Sequence, residues 1–327
     1  FTFSEEPTGF AIGDIVAENG VITNLSGSGN TYTATYTPNI DITDAQNDIY
    51  VKNMSYTDEA DNVGSNAFAP NFVIDTNVPN VSTVSITSAS GAANGYLNAG
   101  DTVSVTVAMD EATIVTGSPT IALDIGGVTK LATYASGSTT TSLVFTYTIE
   151  AGLTDADGIS VPAGEISLNS GTLKDAAGND ATLTHDGVAA NSSFKVDTTA
   201  PTVTVALSDT ALKAGETATV TFTFSEEPTG FAIGDIAIDE DNGEISNLSG
   251  SGNTYTATYT PGVDITDATN VISVTDLSYT DAAGNAGASG TSANFAIDTN
   301  VPNAPTVDSV ALTNDATPTL TGTAEVG

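Results

Sequence analysis

Phe1 to Ile15 reads FTFSEEPTGFAIGDI, and Phe222 to Ile236 reads the same, residue for residue. A second block, Asn24 to Pro38 (NLSGSGNTYTATYTP), returns at Asn247 to Pro261, and the later copy carries two extra residues between its blocks. Self-similarity at long spacing marks a modular array. Each copy closes on one joint sequence, Ile74-Asp75-Thr76-Asn77-Val78-Pro79-Asn80 and Ile297-Asp298-Thr299-Asn300-Val301-Pro302-Asn303, and a relative of it, Val196-Asp197-Thr198-Thr199-Ala200-Pro201, lies between them. These joints divide the chain at 1–75, 76–197, 198–298 and 299–327. The first segment reads as a copy of the third without its opening strand. The second is a longer module, and the last holds only the opening strands of a fourth. The complete segments match the usual domain size of roughly 100–150 residues, and the chain reads as a window on a longer array.

The local pattern is that of β-strands. Thr31 to Thr37 (TYTATYT), Val103 to Val107 (VSVTV) and Val220 to Phe224 (VTFTF) alternate at period two, as half-buried strands do. Turn signals separate them: Ser26 to Asn30, Gly126-Gly127, Ala177-Gly178-Asn179 and Ala283-Gly284-Asn285. No amphipathic helix is evident. In the third module, strands are expected near 202–207, 218–224, 230–238, 245–248, 254–260, 271–279 and 293–297, a seven-strand sandwich. The middle module fits the same scheme with an insertion at Glu150 to Gly164 before its penultimate strand.

Five lysines, no arginine and forty acidic residues leave a formal charge of −35. Such a surface repels phosphate, so nucleic acid is excluded as a natural partner, and anionic membrane surfaces are disfavoured. No apolar run is long enough to insert in a membrane. With no cysteine, disulfides are not the staple, and a bound divalent cation is the simplest offset for so many carboxylates.

The phrases Phe224-Ser225-Glu226-Glu227-Pro228, Asn247 to Tyr255, and Tyr279-Thr280-Asp281-Ala282-Ala283-Gly284-Asn285 resemble the bacterial Ig-like domains that recur in giant secreted surface adhesins, including biofilm-associated and RTX-type adhesins. The tail, Ala304 to Glu325, resembles a second bacterial Ig-like class from the same kind of protein. The resemblance implies an all-β chain of tandem immunoglobulin-like β-sandwiches joined by short acidic linkers. It implies an extracellular, cell-surface or secreted setting and a role in cell adhesion or biofilm formation. It also implies calcium at the junctions between neighbouring modules.

Strand direction gives a reason of its own. If the first strand of a sandwich leaves the joint and the second returns, the acidic pair after the second strand lies beside that joint. The loop after the penultimate strand arrives at the same end. A joint aspartate, a Glu pair and an Asp-x-x-x-Asn loop therefore converge, and oxygen ligands of this kind suit calcium. The first joint would gather Asp75, Asp110, Glu111, Asp175 and Asn179. The second would gather Asp197, Glu226, Glu227, Asp281 and Asn285. The free end of the first segment offers Glu5, Glu6, Asp58 and Asn62, with Asp61 where the third module has Gly284. Asp298 would serve the next module, with Glu325 as a loose equivalent of Glu226. Asp155-Ala156-Asp157-Gly158 is a further small loop of this type, matched loosely by Asp264 and Asp267. Each Asp-Ala-Ala-Gly-Asn stretch is also a sound plain turn, with Asp as its cap and Gly or Asn in the left-handed region.

Catalysis finds no support. His185 is the only histidine and there is no cysteine, so zinc sites and His-assisted nucleophiles lack their parts; a lone His beside Asp186-Gly187 reads as an exposed loop residue. The Gly-rich segments join strands and open no helix, so they are not phosphate cradles. No cluster of exposed aromatic residues is evident. The expected function is that of a mechanical spacer stiffened by calcium at its joints. Two alternatives stay open: a sandwich that binds a glycan or protein ligand, and a filament subunit that self-associates by donating strands to a neighbour.

Overall fold

The computed structural model describes residues 1–309 and 311–324, and these form an all-β chain in which the only helical segments are single 3-10 turns at Ile12–Asp14 and Ile233–Asp235. By backbone contacts the chain divides into two compact units. The first comprises Phe1–Ser88, Val103–Tyr147 and Ser160–Ala190, and the second Ala89–Thr102, Thr148–Ile159 and Asn191–Gly327.

The second unit holds the complete copy of the repeated module. Its larger sheet has four strands in the order Val203–Leu207, Ala218–Phe224, Thr254–Pro261, Gly243–Ser251. This is the edge-to-edge order, first, second, fifth and fourth strand, of the four-stranded sheet of an immunoglobulin sandwich. Ala218–Phe224 is buried at every second residue, so that Val220, Phe222 and Phe224 reach the core while Thr219 and Thr223 face solvent. The opposite layer is made of two three-stranded sheets. One orders Ala211–Lys213, Phe295–Asp298 and Thr266–Asn270; the other orders Ile236–Ala237, Ser273–Val274 and Gly290–Thr291. Tyr259, Tyr279, Phe222 and Phe295 fill the space between the layers with Ile272 and Val274. The hairpin from Gly243 to Pro261 carries a register shift between Ser246 and Ser249. There Asn247 takes a left-handed φ of 53°, and a side chain on Gly250 would run into the Thr254 carbonyl; extra residues of this kind bend and twist a hairpin.

Three expectations change. Residues 230–238 are not one strand: the Ala232 N–H donates to the Asp235 carboxylate at 2.7 Å, which winds a 3-10 turn and leaves only Ile236–Ala237 in a sheet. Residues 271–279 are not one strand either. Ser273–Val274 pairs, then Leu277 turns left-handed (φ 61°) and the Ser278 hydroxyl donates to the Thr275 carbonyl. Two strands had no place in the seven: Ala211–Lys213, parallel to Phe295–Asp298, and Thr266–Asn270, antiparallel to it.

The first unit holds the shorter copy. Gly20–Ser28 pairs with Thr31–Pro38, with the same register shift between Thr23 and Ser26. Its ring cluster repeats that of the later copy: Phe3 and Tyr56 lie 5.0 Å apart, as do Phe224 and Tyr279. Burial is where they differ. Phe222, paired with Val205 of the Val203–Leu207 strand, is fully buried, and its counterpart Phe1 is 37% exposed. An aromatic pair without a counterpart in the later copy also appears here. Tyr50 stacks on Phe68 at 5.0 Å across paired strands, where the later copy has Ser273 and Thr291. The first unit further contains a six-stranded sheet built on Thr102–Thr116, Thr120–Ile125, Val128–Ser136, Thr140–Thr148, Thr172–Lys174 and Val81–Ser90. His185 is buried in a two-residue strand, Thr184–His185, paired with Gly164–Glu165. The exposed-loop expectation is thereby corrected: backbone pairing with Gly164 holds the residue in a strand, and its ring Nδ1 lies 3.0 Å from the Asp186 carbonyl oxygen.

Candidate functional site

The joint at Asp197 feeds directly into the module after it. The Ser225 N–H donates to the Thr202 carbonyl and the Thr202 N–H to the Ser225 hydroxyl, both at 2.9 Å. The Pro201 carbonyl accepts the Ala288 N–H at 2.9 Å and the Tyr279 hydroxyl at 3.2 Å. The end of Ala218–Phe224 is thus pinned beside the joint, and Glu226 follows at once.

The Asp281–Asn285 loop comes to the same place and is closed by its own ends. The Asn285 N–H donates to Asp281 Oδ1 and its side-chain amide to Oδ2, each at 2.8 Å. That same amide also donates to the Asp197 carbonyl at 2.9 Å. One side-chain oxygen from each of Asp197, Glu226 and Asp281 lies within 4.8 Å of the other two, and Asp281 is 2% exposed. Burial, with Asp281 and Asp197 nearby, pushes the Glu226 carboxyl above its ordinary value.

A second group repeats this plan in the first unit. Asp75, Glu111 and Asp175 bring one oxygen each within 4.8 Å of one another. The Asn179 amide donates to Asp175 Oδ2 at 2.7 Å and to the Asp75 carbonyl at 3.1 Å. Burial, then Asp75, Asp175 and Asp110, raise the Glu111 carboxyl. Burial alone would raise Asp175 as well, but donation from the Asn179 side chain and the loop N–H groups outweighs it and holds this carboxyl below its ordinary value.

Other residues singled out from sequence take different places. Asp110 accepts the Asn80 N–H at 2.7 Å and the Asn80 amide at 3.0 Å, so it clamps the joint and stays outside the carboxylate group. Glu227 is exposed and outside it too. Asp58 and Asn62 close the same loop, with donor bonds of 2.8 and 2.7 Å, and Asn62 lowers the Asp58 carboxyl. Glu5 and Glu6 line a cavity of about 440 Å³ with them, yet no group of three forms there. Asp61 sits left-handed at φ 63° where the third module has Gly284. Asp298 accepts the Thr266 hydroxyl at 3.1 Å, and its expected companion Glu325 lies outside the described residues. Asp155 is buried and accepts the Gly158 N–H at 2.8 Å; among the described residues neither it nor Asp157, Asp264 or Asp267 joins a group of three. The clamps at Asn80, Pro201 and Thr202 were not singled out from sequence, since two of the three use backbone groups that carry no side-chain signal.

The family model described as a bacterial Ig-like domain matches residues 1–74 and 197–297. Among solved structures, the chain is similar to FdeC, described as a broadly conserved Escherichia coli adhesin, at 13% identity and a TM-score of 0.32, over 91% of this chain and 86% of that one. It is also similar to the I9–I11 tandem of titin, at 11% identity and a TM-score of 0.24, over 87% of this chain and 83% of that one. No curated protein matches the chain. No helix among the described residues is long and apolar enough to cross a membrane. With the family model matching more than half of its residues, the chain belongs to the bacterial Ig-like domain family.

Proposed function

We propose that this chain is an extender segment of an extracellular, adhesin-type bacterial surface protein, in which calcium ties each joint to the module that follows it. The observation that carries the reading is the origin of each carboxylate group. Asp197 comes from a joint, Glu226 from the end of a sheet strand and Asp281 from a loop, and Asp75, Glu111 and Asp175 come from the same three kinds of place. A cation held by all three would add a charged cross-link to pieces of chain that hydrogen bonds already bring together. Small interfaces between domains allow relative motion by default, so such a link stiffens a joint that hydrogen bonds alone would hold.

The donor set fits the ion. All the side-chain donors are hard carboxylate oxygens, and calcium takes six to eight oxygens in flexible geometry, completing its shell with carbonyls and water. No nitrogen or sulfur donor stands in either group, which disfavours zinc. Asn179 and Asn285 orient the loop carboxylate and tie the joint carbonyl. In this reading the chain's partners are its own neighbouring modules, and its work is mechanical: to hold a binding domain away from the cell surface in adhesion or biofilm formation.

Calcium titrated into chelated protein, followed by thermal melting and small-angle scattering, tests this. The reading expects a melting point that climbs by many degrees and a maximum dimension that lengthens and sharpens. Affinity as weak as roughly 10⁻⁴–10⁻³ M suits an extracellular calcium module. No change in either quantity would show the acidic loops to be plain turns.

A further inference from the structure

Within the second unit, a turn of the middle module touches the loop that carries Asp281. The Asn94 side-chain amide donates to the Ala282 carbonyl at 2.9 Å, and the Asn98 amide to the Ala283 carbonyl at 3.2 Å. Both side chains are set by their own backbone. Ala93 and Tyr96 exchange backbone hydrogen bonds of 2.9 Å around Asn94 (φ 52°) and Gly95 (φ 83°), a tight turn with two left-handed residues. The Asn98 N–H is held by Asp101 Oδ2 at 2.8 Å. Between the two asparagines, Tyr96–Leu97 runs parallel to Lys195 and Val196, the last residues before Asp197. The turn is therefore fixed to the strand that becomes the joint.

The loop is shaped to receive it. Ala283 is 2% exposed, whereas Ala177, at the matching place in the Asp175 loop, is exposed. A Cβ on Gly284 would lie 3.3 Å from the Asn98 amide nitrogen and 3.7 Å from the Ala93 Cβ, and φ there is 89°. Small residues let the two backbones approach, so that side-chain amides reach carbonyls directly. The third module's own turn differs at these places. Ala211 and Leu212 stand where Tyr96 and Leu97 do, parallel to the module's last strand, which puts Asp209 at the place of Asn94 and Lys213 at that of Asn98. An ionised Asp only accepts hydrogen bonds and cannot serve a carbonyl.

We propose that residues 93–98 form a docking face for the following Ig-like module, with Asn94 and Asn98 reading the carbonyls of an Asp-Ala-Ala-Gly-Asn loop. The middle module thereby fixes how the module after it is seated, and it does so without a cation. This contact adds to the calcium reading and does not depend on it.

The chain has no cysteine, so a label pair at Ala156→Cys and Ser251→Cys, both exposed and both in this unit, reports the joint in the full chain. The measurement is the spin–spin distance distribution in chelator. The parent protein gives a narrow distribution. Asn94→Asp with Asn98→Asp sets acceptors against acceptors while keeping shape, and Asp tolerates the left-handed place of Asn94. Loss of two neutral hydrogen bonds lowers the docked-to-undocked ratio roughly 5- to 150-fold, and the distribution broadens. Unchanged amide protection in Tyr96–Leu97 and Lys195–Asp197 shows that the broadening is undocking and not unfolding. A variant distribution that overlays the parent, or a parent already as broad as the variant, overturns the proposal. If calcium narrows neither protein, the cation reading fails while the docking face stands.

Discussion

The loops Asp281–Asn285 and Asp58–Asn62 are the same object in two surroundings. Each closes on itself with an Asn that donates its backbone N–H to one oxygen of the loop Asp and its amide to the other, at 2.7–2.8 Å in both copies. Among the described residues, a joint lies beside the later one. There the Asn amide gains a second acceptor, the Asp197 carbonyl, the loop Asp is buried, and two more carboxylates arrive. Loop geometry is thus a local property of five residues, and convergence of charge is a property of the joint. A turn motif by itself says little about ion binding; the backbone carbonyl it grips says more.

The largest break in this comparison is removal of the loop Asp. Asp281→Ala removes the acceptor of the half-buried Asn285 N–H and one of the two acceptors of its amide, and the third module loses about 2–4 kcal/mol. Asp58→Ala, on an exposed loop, loses less. Hydrogen exchange of amides in each module, compared between the two variants, reads the difference; equal losses would show that the joint adds nothing to the loop.

Next comes the Asn. Asn285→Ala severs the tie to the Asp197 carbonyl at a cost of about 1 kcal/mol and weakens the calcium response of that joint. Asn62→Ala leaves the calcium response untouched, because among the described residues no group of three carboxylates forms at its loop. Thermal melting with and without calcium compares them.

The glutamates sharpen the comparison through pH. Glu111 and Glu226 are pushed up in the folded protein, so the folded state holds more protons than the unfolded chain between the ordinary Glu value, 4.5, and the raised one. In chelator, stability therefore falls as pH rises through that window. Asp175 and Asp58 are held down, so their contribution is present above the ordinary Asp value of 3.8 and is lost as pH falls through the lower folded value. Glu226→Gln should raise the melting point of chelated protein and flatten the upper window alone. Persistence of the full upper slope in the Glu111→Gln, Glu226→Gln double variant would contradict the assignment.

The smallest expected effect is a reciprocal swap. Asp61 and Gly284 occupy the same left-handed place. Asp61→Gly should stabilise the first copy, and Gly284→Asp destabilise the third, each within about 1 kcal/mol for the backbone alone. A loss at Gly284→Asp well beyond that range, read by urea unfolding, would measure the added crowding against Asn98.

Much of this was legible in the sequence because strand alternation and strand direction are simple consequences of the chain. The Thr-Tyr alternation placed the strand now seen at Thr254–Pro261, and counting strand directions from the joint brought Asp197, Glu226 and Asp281 to one end. What was not legible depended on side chains bonding to nearby backbone. Asp235 converts an apolar stretch, Phe231 to Ile238, into a 3-10 turn by taking the Ala232 N–H, and no periodicity reports that. Asp110 looked like a member of the acidic group and is instead occupied by Asn80. The Asn94 and Asn98 contacts span more than 180 positions in sequence and use carbonyls common to every residue, so they carried no signal at all.

The most direct measurement of the central claim is calorimetric titration of calcium into chelated full-length chain, set beside Glu111→Ala and Glu226→Ala. The account predicts saturable binding in which each substitution removes one site and leaves the other at its original affinity. Heat that does not saturate, or saturates identically in both variants, would contradict it.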